Sequence, residues 1–226
     1  MKPALLGAIV VAAGLAGAAA YVMFGRQSPA PESAVVTSET PAAATGAEGA
    51  ASPEAAGARL VERVPEFQLA DREGRMRSLA DWQGKSLIVN FWATWCAPCR
   101  REIPLLQQIA RDNRDEGFEV IGIAVDFRDK VLAYADEMQI DYPLLIGEQE
   151  ALDAASAFGI EAIGFPFTVF TDAQGRIVAA HMGELHGPEV AVFLQAVKAV
   201  NAGTRTPEQA RTQITAGLAA LQPSAS

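Results

Sequence analysis

The feature that most constrains the fold of this chain is a pair of cysteines, Cys96 and Cys99, the only two in 226 residues. A short apolar, β-prone run from Leu87 to Phe91 precedes them, and a segment of helical composition follows from Glu102 to Arg111. Sulfurs at positions i and i+3 can close a small disulfide only if the backbone turns into a helix there. The first sulfur then lies at the helix N-terminus, where unpaired amides favour thiolate, the species that attacks disulfides. This arrangement predicts a dithiol redox site rather than a metal site.

The composition excludes several classes of function. A formal net charge of −9 argues against nucleic acid as a partner, because nucleic-acid binding normally needs a basic face. Half of the residues are hydrophobic, which is enough for a sizeable core. Two cysteines cannot build a disulfide scaffold, so we expect them to serve chemistry. The alternative, a structural staple, would close a loop too short to restrict the unfolded chain much.

The N-terminal residues predict export. Ala4 to Phe24 is an uncharged, mostly apolar run between Lys2 and Arg26, and as a helix it would span about 30 Å, the hydrocarbon thickness of a bilayer. Positive charge before the run keeps that end in the cytoplasm. Residues 1–25 are therefore predicted to be a transmembrane anchor at the inner membrane, with the catalytic domain in the periplasm. A cleaved signal peptide is the alternative, with small residues at Ala16–Ala20 for a peptidase.

Composition divides the rest of the chain. Residues 26–58 are dominated by Ala, Pro, Ser, Thr and Gly without an aromatic residue, which predicts a disordered linker. In residues 59–202 apolar runs alternate with helical segments, which predicts one α/β domain with a central mixed sheet covered by helices on both faces. The tail, 203–226, has apolar residues at helical spacing. It forms either an extra docked helix or a frayed one, and the sequence favours neither.

Individual elements follow from the same patterns. The predicted strands are an edge strand at Pro65–Leu69, then Lys85–Phe91, Phe118–Val125, Tyr142–Ile146, Phe167–Thr171 and Arg176–Ala180. Ser78–Trp82 is predicted to be a short turn or helical piece. The predicted helices are the one after the cysteines to about Asn113, Asp129–Met138, Glu150–Phe158 and Pro188–Ala202. Pro104 is expected to kink the first of these helices.

These motifs resemble the thioredoxin fold and, within it, the membrane-anchored TlpA/ResA-like thiol-disulfide oxidoreductases. The resemblance covers about Pro65 to Ala202, and its main carriers are Val89–Pro104 (VNFWATWCAPCRREIP) and Gly164–Phe170 (GFPFTVF). The segment Asp81–Lys85 and an extra helix between the second and third central strands resemble that subfamily rather than plain thioredoxin. The resemblance implies a thioredoxin-like α/β fold with a TlpA-like inserted helix.

The resemblance also implies roles for individual residues. Cys96 is the exposed nucleophile and Cys99 the recessed resolving thiol. Asn90 stands where ordinary thioredoxins place a buried aspartate that shuttles the second thiol's proton, and in the TlpA/ResA-like group a glutamate at the position of Glu102 serves instead. On a helix, Glu102 shares a face with Cys99, and a partly desolvated carboxylate there can accept a proton. The alternative role of Glu102 is to complement the helix dipole.

A substrate-binding groove follows from the same resemblance. Pro166 matches the family's cis-proline, whose loop faces the cysteines and pairs with the substrate backbone. Phe165 either lines this groove or is a core aromatic, and Trp95 is expected to form a groove wall. The predicted substrate-binding residues are Trp95, Ala97, Pro98, Phe165 and Pro166.

The residues between and after the cysteines bear on the direction of electron flow. Ala97 and Pro98 add no charge and no side-chain donor that would hold the Cys96 thiolate. An over-stabilised thiolate makes a strong oxidant, so its absence favours a protein-disulfide reductase. Arg100 and Arg101 follow in sequence and can partly stabilise negative charge, which works in the opposite direction.

Two kinds of protein partner are implied by the resemblance. The clients are disulfide-containing exported proteins, with haem-site cysteines of apocytochrome c or copper-site cysteines of a respiratory oxidase as examples. Cysteines at a future metal site must be thiols before they can bind the metal. A membrane thiol electron donor would keep the dithiol reduced.

A different class of function is a copper metallochaperone of thioredoxin-like fold, in which Cys96, Cys99 and a histidine hold the metal. Copper chaperones of related fold have a longer cysteine spacing, and nothing in the sequence places His181 or His186 near the sulfurs. We expect both histidines at the solvated surface, and no metal or other cofactor. A peroxidase would carry a Thr-x-x-Cys motif, which is missing here.

Overall fold

The computed structural model describes residues 61–160 and 164–222 of the chain. The strands in this part are β1 Leu69–Asp71, β2 Met76–Arg77, β3 Ser86–Trp92, β4 Phe118–Val125, β5 Leu144–Gly147, β6 Phe167–Thr171 and β7 Ile177–Met182. The α-helices are α1 Ala97–Asp112, α2 Arg128–Glu137, α3 Gln149–Ala157, α4 Gly187–Asn201 and α5 Pro207–Leu221, with short 3-10 turns at Leu79–Trp82 and Arg114–Glu116.

The strands form one mixed sheet in the order β2-β1-β5-β4-β3-β6-β7. β3 pairs in parallel with β4 and antiparallel with β6, and β4 pairs in parallel with β5. Every residue of β3 and β4 is buried, as expected for the near-continuous apolar runs of central strands. Because β3 and β4 are parallel, their carboxyl ends meet at one edge of the sheet, and the loop with the cysteines begins there.

Hydrophobic side chains fill the space on both faces of the sheet. On one face α1 and α4 pack through Ile103, Leu106 and Phe193. On the other face α3 packs through Ala151 and Ala154 against Phe91 and its neighbours. The predicted fold class, an α/β domain with a mixed sheet covered by helices on both faces, is confirmed.

The predicted elements within residues 61–160 and 164–222 occur close to their expected positions, with one exception. The edge strand predicted at Pro65–Leu69 is wrong, because the strand is Leu69–Asp71 and it pairs with β2 on one side and β5 on the other. Phe67 is instead partly buried against the core, with its ring edge-on to Phe158 at 6.2 Å between centroids. The apolar alternation in this segment therefore comes from packing against α3 and not from strand pairing.

The C-terminal tail contains a docked helix, α5, which resolves the alternative left open by the sequence. Thr206 caps its first turn, accepting from the backbone N–H of Gln209, and Ile214 is buried against the core. Gly217 lies so close to α4 that an added Cβ would come within 2.7 Å of a Val192 methyl group. Arg211 donates to the carbonyls of Ile177 and Val178, so α5 also covers the open edge of β7.

The predicted anchor at 1–25 and linker at 26–58 lie outside the described residues. Within residues 61–160 and 164–222, none of the helices has the length and apolar character needed to cross a bilayer. Pro104 lies inside α1, and the kink expected there stays a prediction.

Candidate active site

The two cysteines occupy the first turn of α1 and are joined by a disulfide bond. Cys96 is the N-cap residue, and its sulfur accepts a hydrogen bond from the Cys99 backbone N–H at 3.2 Å. Pro98 stands in the first turn, where a missing N–H costs no helical hydrogen bond. The first sulfur therefore lies at the helix N-terminus, as the cysteine spacing predicts.

The two cysteines differ in exposure in the expected order, but the difference is small. Cys99 is fully buried and Cys96 retains 6% of its accessible surface. The expectation of an exposed Cys96 is therefore wrong for this oxidised form.

Glu102 is a carboxyl group buried in the core one turn after Cys99, with 1% of its surface exposed. One carboxylate oxygen accepts from the Asn90 side-chain amide at 2.7 Å, and the other accepts from the Leu185 backbone N–H at 2.8 Å. Burial raises the pKa of Glu102 to about 7, against the opposing effect of the Leu185 and Asn90 hydrogen bonds. The negative charge of Glu184 raises this pKa further. A carboxyl group with this pKa exchanges its proton near neutral pH.

The raised pKa of Glu102 predicts a pH-dependent stability. Between its ordinary value of 4.5 and about 7, the native state holds a proton that the unfolded state has released. The free energy of unfolding should therefore fall as pH rises through this window, by up to about 3 kcal/mol. Urea denaturation of the oxidised chain at pH 5 and pH 8 measures this fall, and Glu102→Gln should remove it.

The matched control for that measurement is Glu150→Gln, which alters an exposed carboxyl in the first turn of α3. It should leave the pH dependence of unfolding as in the wild type. An unchanged pH dependence in Glu102→Gln would show that Glu102 ionises as freely in the native chain as in the unfolded one.

Asn90 connects Glu102 to the neighbouring strand. Its side-chain amide also donates to the Thr168 hydroxyl at 2.9 Å, and Thr168 lies directly opposite it in the register of β3 and β6. Within the described part of the chain, the Asn90 side-chain oxygen is buried without a hydrogen-bond partner. Asn90 therefore acts in the structure as a donor that fixes the Glu102 carboxylate.

The turn before Cys96 is fixed by Asp126, a residue that the sequence analysis missed. Its carboxylate accepts from the Thr94 backbone N–H at 3.3 Å and from the Thr94 hydroxyl, and also from the Phe127 backbone N–H at 2.8 Å. Asp126 directly follows β4, and Thr94 follows β3 after one residue. The signal was available, since polar groups at the carboxyl ends of adjacent parallel strands meet at one edge.

The loop opposite the cysteines contains a cis peptide bond between Phe165 and Pro166, which confirms the prediction of a cis-proline. Phe165 is half-buried, and its ring is edge-on to Trp95 at 6.0 Å and stacked on Phe167 at 6.3 Å. Trp95 is 67% exposed. The Phe165 ring therefore contacts both a core aromatic and the exposed tryptophan, and its role in a substrate groove stays a prediction.

The two arginines after Cys99 have other partners than the cysteine pair. Arg101 forms an ion pair with Glu184, and the Arg100 guanidinium lies over the ring of Tyr134 at 5.2 Å. The observed contacts therefore support stabilisation of a Cys96 thiolate by the helix N-terminus and not by these two arginines.

The histidines lie on different elements. His186 is exposed and precedes α4, as predicted, but His181 on β7 is half-buried, with its ring edge-on to Phe193 at 5.6 Å. His181 is therefore less solvated than expected, because α4 packs over that end of β7. Within residues 61–160 and 164–222, no group of three or more histidine, cysteine or acidic side chains is arranged to hold a metal ion.

Comparison with known proteins agrees with this geometry. The sequence pattern of the AhpC/TSA family matches residues 60–180. A protein of Halalkalibacterium halodurans named thiol-disulfide oxidoreductase ResA is 30% identical over 142 residues, which cover 62% of this chain and 78% of the relative.

Solved structures show the same fold. A thiol:disulfide interchange protein of the thioredoxin family from Chlorobium tepidum matches with a TM-score of 0.50 and 34% identity, over 57% of this chain and 90% of that one. A secreted thiol-disulfide isomerase from Corynebacterium glutamicum matches with a TM-score of 0.53 and 27% identity, over 57% of this chain and 81% of that one. The described domain is thioredoxin-like.

Proposed function

From the premise that this chain belongs to the AhpC/TSA family and is a thiol-disulfide oxidoreductase, we propose that it reduces disulfide bonds in exported proteins through Cys96 and Cys99. The observation that carries the proposal is the arrangement in α1. One sulfur caps the helix, the second is buried one turn on, and the buried carboxyl of Glu102 follows at the next turn. A nucleophile, a resolving thiol and a proton acceptor are thus held on one rigid element.

In the proposed reaction the protein begins as a dithiol with Cys96 ionised. The Cys96 thiolate attacks a client disulfide, a mixed disulfide forms, and one client sulfur leaves as a thiolate and takes up a proton. Cys99 transfers its proton to the Glu102 carboxylate and attacks the Cys96 sulfur. The second client sulfur then leaves, and the Cys96–Cys99 disulfide of the structure remains. The client gains two electrons, which the cysteine pair gives up.

The surroundings of Cys96 support reduction over oxidation as the physiological direction. The Cys99 backbone N–H is the hydrogen-bond donor to the Cys96 sulfur, and both neighbouring arginines contact other groups. A thiolate held by little more than a helix N-terminus is less stabilised than that of a strong oxidant. The dithiol form is therefore less stabilised relative to the disulfide form than it is in a strong oxidant. This difference favours the transfer of electrons from the dithiol to a client.

A client would bind where the aromatic side chains flank the cysteine pair. The proposed contacts are Trp95, Ala97 and Pro98 beside Cys96, with Phe165 and Pro166 on the opposite loop. The exposed Trp95 ring and the half-buried Phe165 ring provide an apolar surface at this edge of the sheet. An extended client segment would lie across it and pair with the backbone of the loop that contains Phe165 and Pro166.

The proposed location is the periplasm, with the N-terminal run as the inner-membrane anchor. The apolar residues from Ala4 to Phe24 support this location, and the relative from Corynebacterium glutamicum is described as secreted. In an oxidising compartment the disulfide must be reduced again after each turnover, which requires a membrane thiol donor. Clients whose cysteines later bind haem or copper fit this role, because ligation needs free thiols.

The decisive experiment traps the client. In Cys99→Ala the mixed disulfide on Cys96 cannot be resolved, so we expect covalent adducts on non-reducing gels of cells that express the full chain. Mass spectrometry of the adduct identifies the client. The double variant Cys96→Ala/Cys99→Ala is the matched control and should give none. A Cys99→Ala chain that is correctly folded and yet yields no adduct would overturn the proposed turnover.

The reduction potential of the cysteine pair tests the direction separately. We expect a value nearer the thioredoxin potential of about −270 mV than the DsbA potential of about −120 mV. A potential close to the latter would make the protein an oxidant, while the roles of the two cysteines in exchange would stand.

A further inference from the structure

The loop of residues 183–186, between β7 and α4, touches both sides of the active site. At its start the Gly183 backbone N–H donates to the Pro166 carbonyl at 2.8 Å. Near its end the Leu185 backbone N–H donates to the Glu102 carboxylate at 2.8 Å, and the Leu185 side chain is buried. Gly183 has a φ of +101°, a conformation that residues with a side chain rarely adopt. One short loop thus joins the cis-proline to the buried carboxyl.

An ion pair holds this loop against α1. Both oxygens of Glu184 accept from Arg101, with the Arg101 Nε at 2.9 Å and 3.1 Å and an Nη at 2.5 Å. The Nε hydrogen is shared between both oxygens and Oε2 also accepts from the Nη, so the contact fixes direction as well as distance. Arg101 immediately precedes Glu102 on α1, and Glu184 immediately precedes Leu185 in the loop. The ion pair therefore lies one residue from the hydrogen bond on each side.

We propose that the Arg101–Glu184 ion pair is a latch that keeps the 183–186 loop on α1, so that the Leu185 amide stays hydrogen-bonded to Glu102. Arg101 and Glu184 are positioning residues, and the latch rests on the proposed function for its catalytic meaning. While the latch is closed, the carboxyl of Glu102, which receives the Cys99 proton, and the loop at Pro166, which is proposed to face the client, keep fixed positions relative to each other. An opened latch would leave Asn90 as the remaining observed donor to Glu102.

The pKa of Glu102 depends on the groups that surround its carboxyl. Asn90 of β3 faces it, with Thr168 of β6 behind Asn90, and Cys99 and Arg101 lie on its own helix. The charge of Glu102 also affects the buried Tyr142 hydroxyl, before β5. The loop contributes Glu184, whose own carboxyl is influenced by the charge of His186 and whose carbonyl lies 3.4 Å from the ring of His181.

Breaking the latch from its two sides should shift the pKa of Glu102 by different amounts. In Arg101→Gln the Leu185 hydrogen bond weakens and the Glu184 charge loses its partner, and both changes raise the pKa of Glu102. In Glu184→Gln the hydrogen bond weakens as well, but a negative neighbour is removed, which lowers the pKa. The upward shift should therefore be larger in Arg101→Gln than in Glu184→Gln.

The experiment is a pH titration of the oxidised full chain in detergent, with glutamate side-chain carboxyls labelled with ¹³C and the Glu102 signal assigned through Glu102→Gln. We expect Arg101→Gln to raise the Glu102 midpoint by about one pH unit. Arg111→Gln is the matched control, because Arg111 lies on the same helix as Arg101 and the substitution breaks its exposed ion pair with Asp141. It should leave the Glu102 midpoint unchanged. Arg101→Lys keeps the charge without the fork and should fall between.

Hydrogen exchange of the Leu185 amide gives a second readout, which should accelerate about tenfold in Arg101→Gln and stay unchanged in Arg111→Gln. An unshifted Glu102 midpoint together with unchanged exchange in Arg101→Gln would overturn the latch. Neither measurement involves a client, so a wild-type chain that reduces no disulfide would refute the proposed function alone and leave the latch standing.

Discussion

Cys96→Ser should lower the rate of disulfide reduction by the reduced protein at least about a thousandfold. A serine hydroxyl stays protonated near neutral pH and forms no disulfide, so neither step of the exchange can occur through it. The effect is large because the substitution removes the thiolate, whose formation is favoured by the position of Cys96 at the helix N-cap. The second cysteine offers no substitute, since Cys99 is fully buried.

The measurement is the initial rate of insulin disulfide reduction with dithiothreitol as the donor, corrected for the rate without protein. Thr94→Ser is a matched control, because it keeps the hydroxyl that bonds Asp126 and leaves both cysteines in place. It should retain most of the activity. Substantial reduction by a folded Cys96→Ser chain would place the nucleophile elsewhere.

Glu102→Gln should slow the second step, the attack of Cys99 on the mixed disulfide, by about a hundredfold. A glutamine amide keeps most of the shape but cannot accept the Cys99 proton. In the wild type, this step should accelerate as pH rises through about 7 and then level off, since the carboxylate form of Glu102 is the acceptor. In the variant, that rise should move up toward the ordinary thiol pKa of about 8.5.

A symmetric chromophoric aryl disulfide separates the two steps, because the loading of Cys96 releases one coloured thiolate rapidly and the attack of Cys99 releases the second. Stopped-flow absorbance between pH 5 and pH 9 then gives the rate profile. Glu150→Gln should reproduce the wild-type profile, since that carboxyl is exposed on α3. An identical profile in Glu102→Gln would leave Glu102 with only the alternative role of complementing the helix dipole.

The two variants also separate the roles of neighbouring groups on α1. Cys96→Ser removes the first exchange, whereas Glu102→Gln leaves the loading of Cys96 intact and affects only its resolution. If loading were slowed equally in both, the effect of Glu102 would lie in the structure of the helix start. The unfolding measurement at pH 5 and pH 8 distinguishes that case, because a disturbed helix loses stability at both pH values.

Local patterns in the sequence predict most elements of the domain, because each depends on residues that are adjacent in the chain. The apolar run of β4 is recovered with its bounds, Phe118–Val125, since a fully buried strand needs no polar positions. The segment Pro65–Leu69 misleads for a physical reason. Its alternation satisfies packing of Phe67 on Phe158, a contact 91 positions away in the chain, and mimics a strand.

The position of the first sulfur at a helix N-terminus is a property of a few consecutive residues, so the cysteine spacing and the apolar run before it suffice to predict it. The surroundings of Glu102 are not local. Its two hydrogen-bond donors lie 12 and 83 positions away, and its pKa depends on the burial that these distant segments create. Folding brings Leu185, Glu184 and Asn90 to one carboxyl group, and contacts between remote segments leave no periodic trace in a single chain.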